Sequence, residues 1–312
     1  MPGGEEHVAM TFNSGSSGSG WAVEWFGTTT FRVRRAGLDL FFDGYLDRLP
    51  GLDPVGLRVD EVERADFVFV SHAHFDHLYG VAPIARSTGA TVVASPESAR
   101  ILRQDGIPED QLLMVTGGET VRCGPAASVR VLPALHSCLF AASDPDSAVE
   151  CLGDLGISAQ DRSRTVRGIL ADGFGGAPAP VADAMRTMLD RSSAHDGGQL
   201  AFLLQTEDGS ALFSGSSGYW PGIFAGLQPQ VAFLALAGRP NVSGEPYQGS
   251  SARFMLEQAE TLRPGRVCFC HHDPLLPGQP GTDVTEAAAL LEASKPGSYF
   301  TMEYATPRPL FP

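Results

Sequence analysis

The segment Ser71-His72-Ala73-His74-Phe75-Asp76-His77 concentrates the groups best suited to chemistry. Of the chain's eight histidines (His7, His72, His74, His77, His136, His195, His271 and His272), three fall between positions 72 and 77, with an aspartate among them. Neutral imidazole nitrogen is a borderline donor suited to zinc and similar metals, so three or four such nitrogens converging on one point can hold an ion. The run Phe67-Val68-Phe69-Val70 leads straight into the cluster and reads as a short strand buried on both faces. Past such a strand His72 and His74, two residues apart, point the same way, while Asp76 and His77 lie beyond the bend and can face a second ion. His136 and either His271 or His272 stand where other predicted strands end and are the remaining candidate ligands. Histidines that merely cap the next helix are the competing reading; it would win for a single histidine, and the His-x-His-x-Asp-His spacing outweighs it.

The elements that must position these groups can be read from hydrophobic periodicity. Ala22 to Phe26, Phe31 to Arg34 and Leu38 to Asp43 alternate between glycine turns and predict an antiparallel meander. The pattern then becomes α/β. A helix is expected over Leu78 to Thr88, a buried strand over Ala90 to Ala94, and a second helix opened by Pro96, which sits where its missing N–H costs nothing. Strands at Glu119 to Arg122 and Ser128 to Leu132 deliver the chain to His136. Further strands are expected at Leu200 to Leu204, Ala211 to Phe213, Gln230 to Leu236 and Arg266 to Cys270, with a helix over Ser251 to Thr261. Two halves of strands followed by helices predict two packed sheets flanked by helices. Residues 141–198 are rich in Asp, Ser, Gly and Ala with one helix-like block, Val181 to Leu189, and are expected to be an insertion that covers the site as a lid. Residues 1–20 include a Gly/Ser-rich run and are expected to be a flexible lead-in to a single domain over 21–312.

Composition narrows the function. With 312 residues, 43% of them hydrophobic, the chain can bury a sizeable core. A net charge of -14 and the absence of a Lys/Arg stripe argue against a nucleic-acid partner. Arg32, Arg34 and Arg35 are expected on a solvated strand face rather than in a basic pocket. No stretch approaches eighteen apolar residues and no leader pattern opens the chain, so no membrane association and a cytoplasmic location are expected. Five irregularly spaced cysteines do not suggest a disulfide framework.

The histidine cluster resembles the signature of the metallo-β-lactamase superfamily. The resemblance extends through the opening meander ending at Phe42-Asp43, through His136, through Leu212-Phe213-Ser214-Gly215-Ser216-Ser217-Gly218-Tyr219, and through Cys270-His271-His272-Asp273. It implies an αββα four-layer α/β sandwich with metals between the sheet ends. It further implies His72, His74 and His136 as ligands of a first metal, and Asp76, His77 and His271 as ligands of a second. His272 then supports the ligands from behind or faces substrate, as Ser216 could. Tyr219 and Trp220 either line a substrate pocket or belong to the core. One departure stands out: the family supplies an aspartate bridging both metals from the segment that here reads Gly215-Ser216-Ser217-Gly218, and the missing carboxylate falls on Gly215 or Ser216. Without it the repulsion between two cations is less compensated. The expected outcomes, in order, are one metal at the three-histidine site, two metals bridged only by hydroxide or substrate, or a degenerate site.

The resulting expectation is a hydrolase that uses a metal-bound hydroxide on a small-molecule lactone, ester or phosphoester, with Asp76 orienting the hydroxide or accepting its proton. Zinc is the expected metal, as one or two ions, with iron or manganese as other candidates. The ending around His271 resembles the branch with sugar-phosphate lactonases and phosphodiesterase-like enzymes. The alternatives are a non-hydrolytic metalloenzyme catalysing a rearrangement, elimination or oxidation, and a non-catalytic binding protein. The oligomeric state is not readable from the sequence.

Overall fold

Strands form where the apolar runs place them. A computed structural model describes residues 20–141, 158–172 and 177–311. Ala22–Trp25, Phe31–Arg35 and Leu38–Phe42 pair antiparallel, with Trp25 opposite Phe31 and Phe31 opposite Phe42. The sheet continues in parallel through Phe67–Phe69, Thr91–Ala94 and Leu112–Met114, and Arg308–Pro309 closes its other edge, making seven strands among the described residues. A six-stranded sheet runs in the order Arg266–Cys270, Val231–Ala235, Ser210–Ser214, Leu200–Thr206, Ala127–Pro133 and Thr120–Arg122. A small third sheet joins Gly218–Tyr219, Asn241–Val242 and Glu245–Pro246.

The two large sheets face each other across an aromatic core. Phe42 of one stacks on Phe213 of the other with ring centroids 3.9 Å apart, and Phe31 and Phe233 pack edge-on and stacked around Phe213. Burying each such ring contributes about 1.5–3 kcal/mol. The outer face of the first sheet is covered by Val81–Thr88 and Pro96–Gln104, and that of the second by Ser251–Leu262 and Thr285–Ser294. This is the four-layer αββα sandwich. Ser95 caps the Pro96 helix, its hydroxyl accepting from the Ser98 N–H, as a serine before an N1 proline should.

Several sequence expectations need adjusting. The helix expected over Leu78 to Thr88 is interrupted: a short turn, Phe75–Leu78, precedes Val81–Thr88. The break lies at Gly80, whose N–H donates to the Gly44 carbonyl at 2.8 Å; a Cβ there would lie 2.2 Å from that oxygen, so only glycine permits the contact. The insertion holds the expected helix as Ala179–Asp190, and a second helix, Ala159–Asp172, that sequence reading missed because an interior glycine and sparse apolar residues blur its period. Thr285–Ser294 and Leu112–Met114 were also missed. Arg32 and Arg34 pair with Glu24, and Arg35 with Glu207 and Asp208, so they form no basic pocket. Among the described residues no helix is long and apolar enough to cross a membrane. Residues 1–19, expected as a flexible lead-in, and residues 142–157 and 173–176 of the expected insertion lie outside the described residues.

Strand direction decides where the site lies. The Leu38, Phe67 and Thr91 strands are parallel and end together at Phe42, Phe69 and Ala94. In the second sheet the Ala127, Ser210, Val231 and Arg266 strands share one direction, two antiparallel steps through Leu200–Thr206 restoring it. The sheets are joined at these ends by Leu200 N–H donating to Ser71 O and His271 N–H donating to Thr28 O, each at 2.8 Å. Carboxyl ends of parallel strands are where α/β folds leave a crevice, and every ligand candidate follows one of them.

Candidate metal centre

Two triads of potential ligand atoms abut at this crevice. His72, His74 and His136 each offer one nitrogen, all within 4.8 Å of one another, and Asp76, His77 and His271 form a second such group. In the first, His74 Nδ1 lies 3.1 Å from both His72 Nε2 and His136 Nε2. Ligand bonds of ~2.05 Å with nitrogens at this spacing correspond to an angle of about 100° at a central ion, a normal coordination angle, so the three nitrogens fit a metal. In the second, Asp76 Oδ2 lies 3.3 Å from His77 Nε2 and 3.2 Å from His271 Nε2. His77 Nε2 is buried and makes no hydrogen bond, as a nitrogen reserved for a cation would.

The groups behind the triads fix which nitrogen faces inward. Asp43 Oδ2 receives His77 Nδ1 at 2.8 Å, Thr29 Oγ1 at 2.6 Å and Ser71 Oγ at 2.8 Å, while its Oδ1 accepts from Ser71 N–H at 2.7 Å. With the Nδ1 proton of His77 committed to Asp43, Nε2 is the nitrogen turned to the second triad, the carboxylate–histidine arrangement that orients metal ligands. His136 Nδ1 donates to the Ser137 carbonyl at 2.8 Å, which likewise frees Nε2. Asp43 and His271 both hold left-handed backbone, with φ of 55° and 60°. Non-glycine residues in that region are uncommon and cluster at functional sites. Asp43 was not singled out from the sequence; its one signal was an aspartate ending the strand that neighbours the Phe67 strand.

Electrostatics separate the triads. Burial drives His72 and His74 well below the ordinary histidine range, helped by neighbouring histidines, and burial lowers His136, so these imidazoles are neutral ligands. Burial also pulls His77 down, but Asp76 and Asp43 outweigh it and carry it up to about 10. Burial would raise Asp76, yet His77 and His271 hold it well below the carboxylate range. Without a cation the second triad therefore holds a protonated His77 beside ionised Asp76, a proton that a bound cation would displace, while the first is a neutral cup of lone pairs.

The structure settles the placement of the remaining candidates. His271, not His272, reaches Asp76; His272 instead stacks on Trp25 at 5.3 Å, and its Nδ1 is buried without a hydrogen bond. Tyr219 and Trp220 do not face the crevice. The Tyr219 ring packs on Phe224 and Phe254 in the outer core, because it lies in a strand whose buried face is turned to the helices, and Trp220 lies against Gly244 at the start of Pro221–Phe224. Ser216 does line the crevice, with its Oγ accepting from Ser137 N–H at 3.1 Å. Gly215 faces Ser71 instead: a Cβ there would stand 2.5 Å from Ser71 Oγ. Of the two positions open for the absent carboxylate, only Ser216 lines the cavity together with the ligands. Cys270 is buried and belongs to neither triad, and burial pushes its thiol well above the usual range; Cys138 is buried and also outside both.

Above the ligands lies a cavity of about 280 Å³. Val166 and Ile169 of the Ala159 helix, Leu189 of the Ala179 helix, and Ser193 and Ala194 line it. The end of the insertion is fastened to the ligand loop, Ser193 N–H donating to Ala73 O and Ala73 N–H to Asp196 O, both at 2.9 Å. His195 is exposed at the rim of an adjoining pocket.

Residues 36–154 match the family described as Beta-lactamase superfamily domain. A protein of Pyrobaculum calidifontis named as a metal-dependent hydrolase is 31% identical over 138 residues, 42% of this chain and 60% of its own length. The chain thus spans less than two thirds of that curated relative. A metallo hydrolase of Ignicoccus hospitalis shares the fold with a TM-score of 0.59 and 17% identity, covering 92% of this chain and 97% of that one. A diiron β-hydroxylase of Streptomyces venezuelae does so with a TM-score of 0.56 and 19% identity, covering 94% of this chain and 54% of that one. The chain thus shares the metallo-β-lactamase fold along 92% of its length, and the residues that match the Beta-lactamase superfamily domain include its first ligand motif.

Proposed function

We propose that the protein is a metal-dependent hydrolase of a small-molecule ester, lactone or phosphoester, with His72, His74 and His136 holding one cation and Asp76, His77 and His271 positioned for a second. The observation that carries this reading is the pair of abutting triads open to a cavity, one of them ending in a buried, unbonded His77 Nε2. The name of the Pyrobaculum relative points the same way. A bound cation at such a site supplies Lewis acidity and makes a nearby water acidic enough to act near neutral pH.

The chain's own groups have separable tasks. The three neutral histidines hold charge-free lone pairs, so cation binding there releases few protons. Asp76 stays ionised within the second triad and borders the cavity, where it would orient the attacking water and accept its proton. Val166, Ile169 and Leu189 of the two insertion helices line the cavity, which supports the lid role expected of residues 141–198. Zinc fits the imidazole-rich first triad, and iron or manganese fits the mixed second one.

Metal analysis of protein purified without added metal, combined with hydrolysis assays, tests the reading. One or more equivalents of a transition metal, with metal and hydrolysis both lost in His74→Ala, is expected. Less than about half an equivalent of any transition metal would overturn it, and firmly bound iron without any hydrolysis would favour an oxidative reading, the activity named for the Streptomyces protein.

A further inference from the structure

We propose that the cavity above the ligands receives the apolar acyl or alkyl group of an uncharged ester or lactone, which selects these over phosphoesters; this rests on the hydrolase reading above. Its walls are Phe75, Leu139, Val166, Ile169, Leu189 and Leu275. Its polar members are the ligand residues themselves and the hydroxyls of Ser137, Ser193 and Ser216. No lysine or arginine lines it among the described residues. Recognition of a phosphoryl group normally uses such cations, preferably a two-pronged guanidinium.

Four arginines of the surrounding elements are committed elsewhere. Arg48 pairs with Asp273 at 3.0 Å, Arg191 with Asp105 at 3.0 Å, and Arg239 donates to the Tyr247 carbonyl at 2.5 Å. Arg162, in the adjoining pocket, lies over the Phe140 ring at 4.2 Å and faces Glu245 at 3.6 Å. Part of the apolar wall is also open to solvent among the described residues: Leu139 is 39% exposed and Ile169 49% exposed. Both line the cavity together with His74, Asp76, His136 and His271, so a chain lying along them brings its carbonyl to the triads. Water then adds to the carbonyl carbon, the carbon–oxygen bond to the alcohol breaks, and the proton passes through Asp76 to the departing alkoxide. A carboxylic acid and an alcohol result, or a hydroxy acid from a lactone.

The test is binding of straight-chain hydroxamates of two, four, six and eight carbons to the metal-loaded full chain, measured calorimetrically. Affinity should rise about fourfold per added methylene until the cavity is filled, and the slope should flatten in Ile169→Asp, a half-exposed position that folding tolerates. Rate enhancement over the uncatalysed reaction should be greater for p-nitrophenyl hexanoate than for bis(p-nitrophenyl) phosphate. Affinity independent of chain length, an unchanged slope in Ile169→Asp, or a greater enhancement for the phosphodiester would overturn the proposal. A rising slope with neither compound hydrolysed would uphold the apolar cavity and remove the hydrolase reading instead.

Discussion

Restoring a carboxylate at Ser216 should raise the affinity of the second cation site, and the same change at Gly215 should not. Ser216 is 5% exposed and lines the cavity shared by His74, Asp76, His136 and His271. Opposite unit charges about 4 Å apart attract by about 4 kcal/mol at an effective dielectric of 20. Desolvating the new carboxylate removes roughly half of that, which leaves about 2 kcal/mol, or about thirtyfold in dissociation constant. At Gly215 the added Cβ would meet Ser71 Oγ at 2.5 Å and Ser71 Cβ at 2.6 Å, and Ser71 is itself bonded to Asp43. Overpacking of that kind costs about 1–3 kcal/mol of stability. Stoichiometry and affinity are read by calorimetric zinc titration of the metal-free protein, with ultraviolet circular dichroism reporting folding. Second-site affinity unchanged in Ser216→Asp, or a larger gain in Gly215→Asp than in Ser216→Asp, would refute the assignment of the lost bridge to position 216.

Other perturbations follow from the same geometry. Asp43→Ala strands His77, Thr29 and Ser71 without their shared acceptor; it should weaken the second site by about 10–100-fold and lower stability by ~2–4 kcal/mol in urea unfolding. Asp273→Ala leaves the buried Arg48 guanidinium uncompensated and frees Thr28 N–H from its 2.9 Å bond. A loss of about 3–5 kcal/mol in denaturant unfolding is expected, together with weaker metal binding through a displaced His271; an unchanged midpoint would contradict it. Glu97 is held down to about 2, chiefly by its Arg100 hydrogen bond and also by that to Ser193. Because its folded value is depressed, its stabilising effect is complete above about pH 4.5 and is lost as pH falls toward 2. Amide protection over residues 193–197, taken relative to the intrinsic exchange rate at each pH, should therefore fall across that window, and less steeply in Glu97→Gln.

The sequence by itself determined the local parts of this protein. A buried strand followed by His-x-His-x-Asp-His is contiguous, so its chemistry and the strand that carries it could be read together. The alternating meander and the apolar runs likewise predicted both large sheets, because a period of two is a property of neighbouring residues. Tertiary structure decided everything that depends on convergence. His271 and His272 are adjacent and chemically identical; only the left-handed backbone at His271 and its N–H to Thr28 turn one toward Asp76 and the other onto Trp25. Gly215 and Ser216 were equivalent on paper, and the packing of Gly215 against Ser71 separates them. The role of Asp43 arises from parallel pairing of its strand with the Phe67 strand, which sequence patterns do not encode. The Ala159 helix, with its weak periodicity, gains its purpose only where Val166 and Ile169 come to face the ligands. Side-chain period tells which face a residue takes, whereas the choice of partner is made by strand order and register, which are properties of the whole chain.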